Sequence, residues 1–192
     1  PVGPVMAEKD LAVAVTGLNA TDNPGPGVAV IRSLRHDESF TGRIVGLAYD
    51  TLDPGIYAKE LVDDVFLIPY PSQGIEALEA RLRYIHEQVP LDVVMPTLDS
   101  ELPSFISLED TLSELGIGSL LPSREQFDIR SKVHLYEVGQ RGGFDVPRAR
   151  VLSDMDSLYK VHEEIPYPFM LKGVFYGADK VWKQMNREDI AV

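Results

Sequence analysis

Four short apolar runs recur along the chain: LAVAVT at 11–16, RIVGLA at 43–48, DVFLIP at 64–69 and DVVMPT at 92–97. Each is too short for a helix and lacks polar alternation, the pattern of a strand buried on both faces. Between them the apolar residues take helical spacing: Val28, Ile31 and Leu34; then Ile75, Leu78, Leu82 and Ile85; then Phe105, Leu108, Leu112 and Leu115. Strands and helices that alternate in this way build a mostly parallel sheet with helices on both faces. The expected fold class is therefore α/β, a Rossmann-like open parallel sheet over 11–121.

The rhythm changes near Leu120-Leu121-Pro122-Ser123, where a second unit, 122–192, is expected to begin. A helical segment over roughly 124–138 runs towards a Gly142-Gly143 stop signal. Beyond it the sequence predicts a strand near 148–152, a helix near 154–164 capped by Ser153 or Asp154, and strands near 167–172 and 180–185. Asn186-Arg187-Glu188-Asp189 reads as the cap and first turn of another helix. A lone first turn is marginal in water, so the expectation is a piece of a longer protein. Residues 1–10 read as a flexible tail.

Composition narrows the function. With 18 Lys or Arg against 30 Asp or Glu, the net charge is −12, which argues against a partner held through its phosphate backbone; no nucleic-acid partner is expected. No cysteine is present, so disulfides, thiolate zinc sites and cysteine nucleophiles are excluded. The apolar runs fall short of a membrane span, and residues 1–10 lack the features of a signal peptide. The expected compartment is cytoplasmic, without a membrane partner.

In open α/β sheets, ligands bind beyond the carboxyl ends of the strands. The first such loop holds Gly17, Asn19 and the run Pro24-Gly25-Pro26-Gly27. It could present a helix N-terminus to an anion, but Val30 stands where a dinucleotide fingerprint needs its third glycine. A turn with a helix cap is the competing reading, and NAD is disfavoured. No Gly-Lys-Ser/Thr triplet exists, which excludes a P-loop. Asp99 and Glu101 lie in the loop after the run at 92–97, either as helix-capping acids or as polar anchors for a cationic or hydroxylated substrate group, with Asn19 and Tyr49 as neighbours. The four histidines lack ligand spacing, and Ser157-Leu158-Tyr159-Lys160 lacks the companion motifs of a Ser-x-x-Lys enzyme. Lys172 ends the run Pro168-Phe169-Met170-Leu171 and precedes Gly173 and Gly177, where a lysine can meet phosphate as a point charge or snorkel to the surface.

In order along the chain come Val13-Ala14-Val15-Thr16-Gly17, the helix from Gly27, Val94-Met95-Pro96-Thr97-Leu98-Asp99-Ser100-Glu101-Leu102, Pro122-Ser123, Ser131-Lys132, Val146-Pro147-Arg148 and Pro168-Phe169-Met170-Leu171-Lys172. This series resembles ATP-grasp proteins, in the branch similar to the carbamoyl-phosphate synthase large chain. The resemblance implies a pre-ATP-grasp domain at 11–121 and an incomplete α+β ATP-grasp lobe at 122–192. It further implies ATP as cofactor, with Lys132, Lys172, Gly173 and Gly177 at its phosphates. Mg²⁺ is implied too, its ligands expected beyond Val192 with the adenine hinge and second lobe. The chain departs from the family pattern at Ser131, where Asp is usual, and at Gly173, where Pro is usual. The activity implied is that of a ligase joining a small-molecule carboxylate to a nucleophile through an acyl phosphate, and a homodimer is compatible with it. The alternative is a non-catalytic Rossmann-like module that binds a small ligand or protein. A second lobe encoded further along the gene favours the ligase, and a stop just after Val192 favours the module.

Overall fold

The computed structural model describes residues 11–20, 25–173 and 181–191. The expected tail at 1–10 and the expected phosphate contact at Gly177 lie outside the described residues. The chain divides into two compact units between Pro122 and Ser123.

In the first unit, strands β1 (Ala12–Val15), β2 (Arg43–Ala48), β3 (Asp64–Leu67), β4 (Val93–Met95) and β5 (Gly118–Ser119) form one sheet in the order β3-β2-β1-β4-β5. Every pairing is parallel. Period-two alternation splits the core between the two faces. Val13, Val15 and Ile44 pack with Ile31 of helix α1 (Pro26–His36). Ala14, Val45, Leu47 and Val94 pack instead with Leu78, Leu82 and Ile85 of α2 (Ile75–Gln88), and with Phe105 and Leu112 of α3 (Leu102–Ser107) and α4 (Glu109–Glu114). The helices are thus on both faces of an open parallel sheet, the expected α/β class.

Three details differ from the sequence expectation. β3 is an edge strand, so its Val65 and Leu67 are exposed while its neighbours are half-buried. The helix expected over 103–116 is two short helices that meet at Leu108. The two-residue strand β5, Gly-Ser, carries no apolar signal and is defined by its pairing with β4 alone.

In the second unit the expected helix over 124–138 is broken into α5 (Arg124–Ile129) and α6 (Leu135–Gly142). Ser123 opens α5 with a reciprocal capping box to Gln126, and Gly143 ends α6 at φ +69°, a left-handed stop. Residues 148–152 form no strand. Their basic side chains turn to Glu164 instead: Arg148 donates to its carbonyl at 3.0 Å, and Arg150 pairs with its carboxylate. Helix α7 (Met155–Lys160) precedes an antiparallel hairpin of β6 (Phe169–Lys172) and β7 (Val181–Gln184). Val161 and Phe169 are the buried centre of this unit, packed by Leu152, Leu158, Ile165, Tyr167 and Leu171.

Asp154 caps α7, accepting from the Ser157 amide at 2.7 Å and the Ser157 hydroxyl at 2.9 Å. The amide bond, then the hydroxyl bond, hold its carboxyl below the usual carboxylate range. A lowered folded-state pKa gives stability that is present above the unfolded value, about 3.9, and is lost as pH falls through the folded value. Asp154→Ala should therefore lower the melting temperature at pH 7. Melts at a series of pH values should show the gap to the parent protein closing below about pH 4.

Candidate functional site

The neighbours of β1 are β2 on one side and β4 on the other, so the order reverses at the β1/β4 pair. Sheets of this kind admit ligands at that point, beyond the carboxyl ends of the strands. Here the loops after β1 and β4 are sewn together. Thr97 donates its amide to the Thr16 hydroxyl at 2.8 Å and its hydroxyl to the Thr16 carbonyl at 3.1 Å.

The glycines of the first loop serve the same closeness. Gly17 has φ +71°, and a Cβ there would overlap the Thr97 hydroxyl, while a Cβ on Gly27 would overlap the Thr16 carbonyl oxygen. The Gly27 amide donates to the Gly17 carbonyl at 3.0 Å. The glycine-rich run therefore lets α1 pack hard against the end of β1.

Glu101 completes the closure and is fully buried. Its Oε1 accepts from the Thr97 amide at 2.7 Å, the Leu98 amide at 2.9 Å and the Thr16 hydroxyl. Its Oε2 accepts from the Tyr49 hydroxyl. One side chain thus ties the carboxyl ends of β1, β2 and β4. Although Glu101 sits at the N-cap position of α3, its side chain makes no capping bond to that helix. Four donors meet it from its own unit, and through them it braces the loops around it.

Tyr49 is fixed by that bond and by its ring, which stacks on Tyr70 at 5.3 Å between centroids and 21° between planes. Burial, then the charge of Glu101, then the bond to it push the Tyr49 hydroxyl far above the ordinary phenol range. Partial desolvation, followed by Asp50 and Asp53, raises Tyr70 as well. Asp53 is buried and accepts from the Tyr49 and Asp50 amides at 3.1 and 3.4 Å.

Of the residues expected at this end of the sheet, Tyr49 and Glu101 are bonded to each other. Asn19 is half-buried on the loop after β1, and Asp99 is exposed in the turn before α3. Thr16, Thr97 and Tyr70 were not singled out as site residues. The visible signal for the first two was a threonine closing each of the apolar runs at 11–16 and 92–97.

In the second unit, Lys132 lies in the turn between α5 and α6 and donates to the Gly173 carbonyl at 3.5 Å. Lys172 is the exposed last residue of β6, directly before Gly173. Two open grooves in this unit are lined by other residues: one of about 630 Å³ by α5 and α6, including Arg124, Ile129, His134 and Arg141, and one of about 210 Å³ by Arg150, Lys160 and Glu164 among others. Among the described residues no group of three or more His, Asp or Glu is arranged to hold a metal ion, and no helix is long and apolar enough to cross a membrane.

No family model and no curated protein matches the sequence. Solved structures do match, and what this chain shares with them is the fold. The biotin carboxylase of Campylobacter jejuni superposes with a TM-score of 0.63 at 20% identity, over 93% of this chain and 39% of its own. The biotin carboxylase domain of the Hydrogenobacter thermophilus 2-oxoglutarate carboxylase gives 0.62 at 19%, over 94% and 38%. The L-amino acid ligase of Bacillus licheniformis gives 0.61 at 16%, over 96% and 41%. The chain thus spans about two fifths of the length of each of these three structures.

Removing the Glu101 carboxylate takes the acceptor from the buried Thr16 hydroxyl and from the half-buried Leu98 amide and Tyr49 hydroxyl, at a cost of about 1–3 kcal/mol for each donor left unsatisfied. Glu101→Ala should destabilise the first unit by at least about 3 kcal/mol, and Tyr49→Phe, which removes one bond to a charged group, by about 1.5–3 kcal/mol. Urea unfolding of the two variants checks both values.

Proposed function

We propose that this chain is the N-terminal part of an ATP-dependent ligase of the ATP-grasp type. In this reading a small-molecule carboxylate takes the γ-phosphoryl group of ATP, and an amine or related nucleophile displaces the resulting acyl phosphate. The fold supports the reading, and one observation carries it: the Lys132 ammonium reaches the Gly173 carbonyl. That bond sets one lysine beside the segment bearing the other, Lys172, and in this reading both cations would meet a single polyphosphate. Among the structural neighbours, one is described as a complex with β-γ-ATP and another with MgADP.

Lys132, Lys172 and the Gly173 backbone would hold the phosphates. Cations fixed beside a transferring phosphoryl group stabilise the charge that spreads over its oxygens. When bound, Mg²⁺ would supply further positive charge against the phosphates; among the described residues no group of three or more His, Asp or Glu is arranged to hold it. In the first unit Asn19, Tyr49 and Asp99 would meet the acceptor substrate, with Glu101 holding Tyr49 in place. The proposal includes a cytoplasmic protein and a homodimer, as the Hydrogenobacter domain is described as a dimer.

Calorimetric titration with pyrophosphate tests the assignment. The 192-residue chain should bind it weakly, and Lys132→Ala and Lys172→Ala should each weaken binding by about tenfold, the scale expected for one charge-assisted contact. Steady ATP turnover is not expected of this chain alone. Unchanged pyrophosphate affinity in both variants would remove the lysines from the site.

A further inference from the structure

At the carboxyl ends of β2 and β3 the first unit presents an aromatic platform. The Tyr49 ring is held from two sides, its hydroxyl by buried Glu101 and its face by Tyr70. Tyr70 is itself fixed by Gln73, whose side chain accepts from the Tyr70 amide at 2.8 Å and whose amide donates back to its carbonyl at 2.9 Å. Tyr70 is nonetheless 48% exposed, so its outer surface is open to solvent.

Two carboxylates stand beside this platform, in fixed positions. Asp53 is pinned by the Tyr49 and Asp50 amides. Exposed Asp50 accepts from the Leu52 amide at 2.8 Å. The wider field has the same sign: residues 1–122 hold 7 Lys or Arg against 19 Asp or Glu, the whole of the net −12, while 123–192 hold eleven of each. Arg81 of the nearby α2 is committed elsewhere, donating to the Leu67 carbonyl at 2.6 Å with its guanidinium over Tyr84. Ring faces are electron-rich, and beside fixed carboxylates they attract cations and repel anions.

We propose that the Tyr49–Tyr70 platform, with Asp50 and Asp53, binds an organic cation, a guanidinium or alkylammonium group. Calling that ligand the acceptor substrate rests on the ligase reading; the binding itself does not. A nitrogen held in this field keeps its proton and has no lone pair to offer. The bound group is therefore the substrate's recognition handle, and a different nitrogen or oxygen attacks the acyl phosphate.

The test is an NMR titration of the 192-residue chain with butylguanidinium, butylammonium, butanol and butyrate, following the ring resonances of Tyr49 and Tyr70. Both cations should shift these rings at millimolar concentration, and butanol and butyrate should not. Tyr70→Ala should weaken cation binding about tenfold and Tyr70→Phe should retain it, because the ring face and not the hydroxyl is the contact. Asp50→Asn should weaken it severalfold and flatten its salt dependence. Melting temperatures close to the parent protein's establish that the variants are folded. Equal shifts with butanol, an unchanged affinity in Tyr70→Ala, or no shift with either cation would overturn the proposal. Pyrophosphate titrated into the same samples separates the two readings: its binding retained while cations fail leaves the ligase reading intact, and the reverse leaves the cation site intact.

Discussion

A buried carboxylate is costly unless hydrogen-bond donors meet it, and Glu101 has three on Oε1 and one on Oε2, two backbone amides and two hydroxyls. The amides of Thr97 and Leu98 follow the last residue of β4, where the ladder to β1 has ended. The Thr97 amide has both the carboxylate and the Thr16 hydroxyl as acceptors, whereas the Leu98 amide has, among the described residues, the carboxylate alone. Thr16 follows the end of β1 and Tyr49 the end of β2. The carboxylate therefore holds three parallel strands in register at the end of the sheet where open α/β folds bind ligands. Truncating it disturbs all three at once.

This closure sets what the first unit can bind. Thr16, Thr97 and Glu101 are bonded to one another at the β1/β4 switch point, and Gly17 and Gly27 are used for close backbone packing. At the ends of β2 and β3 the polar surface is acidic and aromatic, with Asp50 and Tyr70 exposed. The second unit, balanced in charge, carries Lys132 and Lys172 on neighbouring segments. The division of labour proposed for the ligase, cation recognition in one unit and phosphate binding in the other, follows the distribution of charge along the chain.

Strands β1, β2 and β4 were legible in the sequence because interior parallel strands are apolar on both faces and leave continuous runs. β3 shows what that signal misses: at the sheet edge one face opens to solvent. β5 carries only Gly118 and Ser119 and exists through its partner. Local pattern also overextended the helix at 124–138 and placed a strand at 148–152, where Arg148 and Arg150 are drawn to Glu164. At the candidate site, the sequence put Glu101 in a loop beyond a buried strand, but its burial depends on Thr16, 85 residues away, and Tyr49, 52 away. No local spacing encodes such contacts. The Tyr49–Tyr70 stack was hidden for the same reason.

Amide hydrogen exchange at Thr97 and Leu98 probes the brace most directly. Both residues lie outside helix and strand, where amides ordinarily exchange fast, yet both donate to the buried Glu101 carboxylate. If that carboxylate organises the end of the sheet, these two amides exchange as slowly as those of β1 and β4, through opening of the whole unit. Exchange at the rate of the exposed turn around Asp99 would contradict the account.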